Sequence, residues 1–275
     1  MNCICCNAQT RNIDIKDEFF NNPLQQCRSC GHIQLLKVPN ETELKSYYEG
    51  SYSENRQSFI GESYFRIMQK RAAAQKAFID KHLSLPKGSE IHDIGCGYGF
   101  LMELFQQNHP VKGFEYDPDA IAFCKSKNLN VVYQADNELK PVFKKNSTAL
   151  LSHVLEHFID PKQEMKKLLS SYNYLFAEIP SYGRADLPTL KEKEGHVNFF
   201  CRKSLEEFLK GLNCKILALE SCGPDKLFFT SPLLKLPRRI LHKFCQDYFF
   251  NQYERTHKND RGIWLRCLLE SKVEQ

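Results

Sequence analysis

Ile91-His92-Asp93-Ile94-Gly95-Cys96-Gly97-Tyr98-Gly99 is the stretch on which the fold turns. Isoleucines on either side of His92 and Asp93 suit the end of a buried parallel strand. Three alternating glycines let the chain turn tightly, so that its backbone can lie against a ligand. A dinucleotide fingerprint needs glycine at its first, third and sixth positions, and the sixth position counted from Gly95 is Phe100. No Lys-Ser/Thr follows the run, which excludes a P-loop. Glu115 stands eighteen residues beyond Gly97, about the separation that one intervening helix produces. A carboxylate there, at the end of the next strand, can accept hydrogen bonds from both hydroxyls of a ribose. Asp117 is its rival for that role, but Asp117-Pro118 is accounted for as a helix cap followed by proline in the first turn.

Outward from this loop the pattern alternates strand and helix. Strands are expected at 90–94, 111–116, 131–134, 149–153 and 174–179, with helices at 100–107, from 118 onward and at 161–170. A helix over 203–212 and strands at 215–220 and 263–269 follow. The fold class is therefore α/β, a Rossmann-like doubly wound sheet. Upstream, Tyr64, Met68, Ala72, Ile79 and Leu83 recur at helical spacing, with Gln75 as the one interruption. Tyr47, Tyr48 and Tyr52 form either a strip packed on the domain or a lip over a substrate pocket, the packed strip being preferred. Domain boundaries are expected at 1–38, 39–85 and 86–275, with an insertion near 222–261.

Composition narrows the class. With 42% hydrophobic and 26% charged residues the chain reads as globular, and no apolar run approaches the ~18 residues of a membrane span. Met1-Asn2-Cys3 does not open a leader, and twelve scattered cysteines suit reduced thiols, so a cytoplasmic location is expected. A net charge of +5 is modest and argues against a nucleic-acid partner. Lys235, Arg238, Arg239, His242 and Lys243 alternate with apolar residues as the polar face of an amphipathic helix would.

Cys3-x-x-Cys6 and Cys27-x-x-Cys30 have the paired-knuckle spacing of a four-cysteine zinc site. Zn²⁺ takes four ligands tetrahedrally, and a two-residue gap lets both thiols of a knuckle reach one ion. Cys5 stays outside the set, and His32 is a weaker substitute ligand. Four protein ligands leave no open position, so the zinc is expected to be structural. A segment this short buries little apolar surface and would draw much of its folding free energy from the metal.

The Asp-x-Gly-x-Gly-x-Gly run resembles the first motif of class I S-adenosylmethionine-dependent methyltransferases. Adding the four cysteines, Leu151-Ser152-His153-Val154-Leu155-Glu156-His157-Phe158-Ile159-Asp160-Pro161 and Gly195-His196-Val197-Asn198-Phe199-Phe200, the chain is similar over roughly 3–220 to zinc-ribbon methyltransferases of sugar and natural-product biosynthesis. The resemblance implies a seven-stranded sheet, S-adenosylmethionine as methyl donor and a small-molecule or sugar-nucleotide acceptor. It places Asp93 near the cofactor's ammonium and Gly95, Cys96, Gly97, Tyr98 and Gly99 beneath it. Glu115 and Tyr116 fall at the ribose side, Asp136 at the adenine amino group, and Ser152 and His153 beside the cofactor. An acidic acceptor needs a base, for which His157 is the first choice, followed by His153 and His196. The chain is too short for the extra carboxy-terminal domain of sugar C-methylating members, which favours a hydroxyl or amine acceptor. An RNA methyltransferase and a non-catalytic cofactor-binding subunit are the alternatives.

Overall fold

A computed structural model describes residues 2–17, 22–40, 42, 61–134, 147–182, 195–226 and 252–272. The tyrosine-rich strip, Asp136 and the basic cluster around Arg238 lie outside the described residues.

Among the described residues the large sheet has eight strands. β4 (Glu90–Ile94), β5 (Val111–Glu115), β6 (Val131–Tyr133), β7 (Ser147–Ser152) and β8 (Tyr174–Pro180) are parallel. β12 (Gly262–Ser271) runs antiparallel beside β8, β10 (Cys214–Asp225) pairs antiparallel with β12, and two-residue β11 (Thr256–His257) closes that edge. The order β11-β10-β12-β8-β7-β4-β5-β6 reverses direction between β4 and β7. That switch point is where open α/β sheets bind ligands. Seven of these strands match the expected sheet, and β11 is the addition. The strand over 215–220 proves longer, because β10 stays paired with β12 through two register shifts.

Between the strands lie α1 (Glu62–His82), α2 (Phe100–Phe105), α3 (Pro118–Ser126), α4 (Pro161–Ser171) and α5 (Arg202–Lys210). Asp117 caps α3 by accepting from the amides of Asp119 and Ala120, with Pro118 in the first turn. Asp160 and Pro161 repeat the device on α4. No helix among the described residues is long and apolar enough to cross a membrane.

At the amino terminus β1 (Thr10–Asp17), β2 (Asn22–Cys27) and β3 (Ile33–Leu35) form an antiparallel meander. Its fourth strand, β9 (Asn198–Phe199), comes from the far side of the chain and pairs with β3. Cys3, Cys5, Cys27 and Cys30 are buried in the same core as Phe200, Leu205 and Phe208, so the ribbon packs directly on the larger sheet's layer. Lys203 Nζ also donates to the Ser29 carbonyl at 2.7 Å.

Candidate functional site

The glycine loop leaves β4 with Gly95, Gly97 and Gly99 all at positive φ (66°, 53° and 71°), a region that side chains disfavour. Two of them are also closely packed by side chains that would have to shift for a larger residue. A Cβ on Gly95 would sit 2.7 Å from Val154 Cγ2, and one on Gly99 2.5 Å from Leu129 Cδ1. Gly95 and Cys96 amides both donate to Phe114 O, which holds the loop against the end of β5. Cys96 Sγ and Cys124 Sγ donate to the Gly97 carbonyl from behind. Tyr98 is buried in an aromatic group with Phe65 and Phe123, at 5.3 Å from each ring.

Glu115 ends β5. Its carboxylate accepts from the amides of Gly97 (2.6 Å), Tyr116 (2.7 Å) and Asp117 (3.0 Å), so the acid ties the end of β5 to the glycine loop. A carboxylate offers about four lone-pair directions, which leaves acceptor capacity for a hydroxyl. Asp93 is buried, and its Oδ1 has no hydrogen-bond partner among the described residues. Burial, helped by the negative charge of Glu115, pushes its carboxyl up to about 8. Tyr116 follows Glu115, half-buried, with its ring 6.4 Å from that of Tyr133.

β7 delivers the second half of the site. Ser152 Oγ accepts from Gln75 Nε2 (2.8 Å) and Arg71 (3.3 Å). His153 follows at φ 59°, a left-handed conformation uncommon outside glycine. It places Nδ1 3.2 Å from Glu156 and Nε2 3.8 Å from Glu178. A 3₁₀ turn, Leu155–His157, then carries Glu156 and His157. The loop ahead of β9 brings His196 to His157, their rings 4.7 Å apart, and to Glu156, with Nε2 to Oε1 at 3.9 Å. The Val197 amide donates to Glu156 O, and Asn198 Nδ2 donates to Phe158 O, so the two segments are stitched together. Burial pushes both His153 and His157 well below the ordinary imidazole range. For His153 the charge of Arg71 adds to burial, and both rings stay neutral at physiological pH.

Beneath this group lies a buried ionic set that the sequence reading passes over. Glu178, inside β8, is bridged by Arg71 and Arg266, each Nε at 2.5 Å, and accepts from Gln75 at 2.7 Å. Gln75, the interruption in the apolar face of α1, is thus a partner of Ser152 and Glu178. A charged residue within Tyr174-Leu175-Phe176-Ala177-Glu178-Ile179 is the signal that points to it.

The chain matches the family model described as a methyltransferase domain over residues 64–219. It belongs to the methyltransferase-domain family. The methyltransferase is an enzyme of the class I, S-adenosylmethionine-dependent type. Among solved structures it is similar to magnesium protoporphyrin IX methyltransferase from Synechocystis (13% identity, TM-score 0.56, covering 85% of this chain and all of that one). A methyltransferase from Thermotoga maritima, described as a possible histamine N-methyltransferase, shares 15% identity at TM-score 0.54 over 83% of this chain and 99% of its own. The plantazolicin methyltransferase gives 15% identity and TM-score 0.51, covering 83% and 93%. Among curated proteins none matches.

In this methyltransferase the ribbon sulfurs pair closely: Cys3 Sγ to Cys30 Sγ is 3.6 Å and Cys6 Sγ to Cys27 Sγ 3.5 Å. A tetrahedron with Zn–S bonds of about 2.3 Å has edges of about 3.8 Å, so the four thiols fit one zinc. All four sulfurs lie within 4.8 Å of one another. Amides of Ser29 and Cys30 donate to Cys27 Sγ, and Gly31 turns at φ 80° after the second knuckle. Cys5 is buried beside the cluster but outside it. His32 is fully buried, with its ring packed 4.7 Å from Phe200.

Proposed function

We propose that this methyltransferase moves the methyl group of S-adenosylmethionine to a hydroxyl or amine of a small acceptor, such as a sugar, nucleotide-sugar or natural-product precursor. The observation that carries the reading is the pairing of two buried carboxylates, Asp93 and Glu115, across a glycine loop at the switch point. Glu115 is aimed to receive a ribose hydroxyl. Asp93 offers an oxygen with no partner among the described residues to the cofactor's ammonium. Gly95, Cys96, Gly97, Tyr98 and Gly99 would form the floor, with Tyr116 at the ribose and Ser152 and His153 at the methionine end. Asp136 keeps its adenine assignment as part of this proposal. The similar structures of the plantazolicin and magnesium protoporphyrin enzymes are described with the demethylated cofactor bound, which supports the same site here.

On the acceptor side, His157 is the proposed base, with His153 and His196 beside it. The transfer is in-line: the acceptor's lone pair attacks the methyl carbon and the C–S pair stays on sulfur. The proton of a hydroxyl acceptor goes to imidazole. We assign one structural zinc to Cys3, Cys6, Cys27 and Cys30, and residues 1–38 to a zinc ribbon joined through 39–85 to the methyltransferase domain over 86–275.

Two measurements test this. Calorimetry should show binding of S-adenosylmethionine and none of NAD. With Asp93 largely protonated at pH 7, binding a cationic ammonium should release about one proton, seen as a dependence of the heat on buffer ionisation. NAD binding, or S-adenosylmethionine binding with no proton release, counts against the assignment. Separately, His157→Ala should lower turnover by about a hundredfold or more with cofactor affinity nearly unchanged. Because burial lowers its pKa, the acid limb of the wild-type rate profile should lie below 6.5.

A further inference from the structure

Glu156, His157 and His196 converge from two segments, and one ligand atom from each lies within 4.8 Å of the other two. We infer that these three side chains bind a divalent transition-metal ion at the carboxyl end of β7, and that this ion holds the acceptor's oxygen. The inference deepens the proposed function, on which the role of the ion rests; the binding of metal does not depend on it.

Geometry, donor chemistry and outer contacts agree. Metal–ligand bonds of about 2.0–2.2 Å put ligand pairs roughly 3–4.4 Å apart, so small side-chain adjustments bring these atoms to one centre. Two imidazoles and one carboxylate suit Zn²⁺, Fe²⁺ or Mn²⁺, and lack the oxygen-rich set that Mg²⁺ or Ca²⁺ requires. Each imidazole is oriented through its other nitrogen. His157 Nδ1 donates to the Gly195 carbonyl at 3.3 Å, which leaves Nε2 as the lone-pair nitrogen. His196 Nδ1 is 2.8 Å from the Tyr182 hydroxyl, and its Nε2 is turned toward Glu156. Such outer partners fix tautomer and ring angle at metal centres. Glu156 and His196 are buried, whereas His157 and His153 keep partial exposure, so the cluster has an approach from outside.

The ion refines the division of labour. An acceptor hydroxyl brought to it becomes more acidic. With His157 held on the ion, the base role assigned to it above passes to His153, whose Nδ1 stands 3.2 Å from Glu156 and which takes the hydroxyl proton. The oxygen pair forms the new C–O bond and the C–S pair is left on sulfur. This chemistry favours an oxygen acceptor over an amine.

The test uses the full chain, treated with a chelator too weak to remove zinc from four thiolates, then titrated with Mn²⁺ and with Zn²⁺ by calorimetry. Thiolates disfavour Mn²⁺, so the cysteine site should be silent to it. One Mn²⁺ per chain is expected, weakened at least about tenfold in Glu156→Gln and His196→Ala. Tyr182→Phe keeps the ring and should weaken binding by about 10–100-fold with metal-free thermal unfolding little changed, which keeps the test valid if the ligand variants fold poorly. Failure to bind Mn²⁺ or a second Zn²⁺, or wild-type affinity in all three variants, overturns the inference. S-adenosylmethionine binding on the same samples separates the outcomes: cofactor without metal sinks only this inference, and metal without cofactor sinks only the donor reading.

Discussion

Cys27→Ser combined with Cys30→Ser should lose about one zinc per chain and at least about 4–5 kcal/mol of stability, the range reached when a structural metal is removed. Sulfurs 3.5–3.6 Å apart cannot all stay ionised without a cation, and the reduced thiols alone supply little attraction. The damage should spread beyond the ribbon, because β3 pairs with β9 and the loop ahead of β9 carries His196. Metal analysis, thermal unfolding and methyl-transfer rate should therefore fall together. Cys5→Ser is the control, since Cys5 lies outside the four-sulfur set, and it should retain the zinc. Full metal content in the double variant would remove these cysteines from the site.

Glu178→Ala should cost about 3–5 kcal/mol, because it strands two guanidinium groups. Arg266 is 1% exposed and Arg71 12% at the side chain, so solvent compensates neither well. Burial on its own would raise the Glu178 pKa, yet the charges of Arg71 and Arg266 hold it below the ordinary carboxylate range. The sign follows: this contribution is present above the unfolded pKa of about 4.5 and is lost as pH falls through the lowered folded value. Glu178→Gln, which keeps hydrogen-bonding atoms, should lose less. Chemical denaturation of both variants at pH 7 and at pH 3–4 checks the size and the pH trend. An unchanged Glu178→Ala midpoint would show that the ionic set contributes nothing.

The parallel core is legible from the sequence because its signals are local. Asp117-Pro118 and Asp160-Pro161 announce helix starts, and the glycine run with Glu115 announces the switch point. Alternation marks the strands around them. What the sequence does not reveal depends on distant partners. β9 is two residues long, and only its pairing with β3 makes it a strand. Gln75 reads as a defect in an apolar face until Ser152 and Glu178 are seen across the fold. His153, Glu156, His157 and His196 are legible as chemical types in two motifs, but their convergence follows from the Val197 and Asn198 hydrogen bonds between the segments.

The strand exchanged between ribbon and core sets a rule for anyone cutting this gene. A shortened product beginning at residue 39 would leave β9 as a bare edge and uncover Phe199 and Phe200, both 1% exposed in the intact fold. Unpaired strand edges flanked by aromatic side chains recruit other chains. Such a fragment should come out of cells as aggregate, and adding the missing ribbon as a separate peptide with zinc should restore solubility.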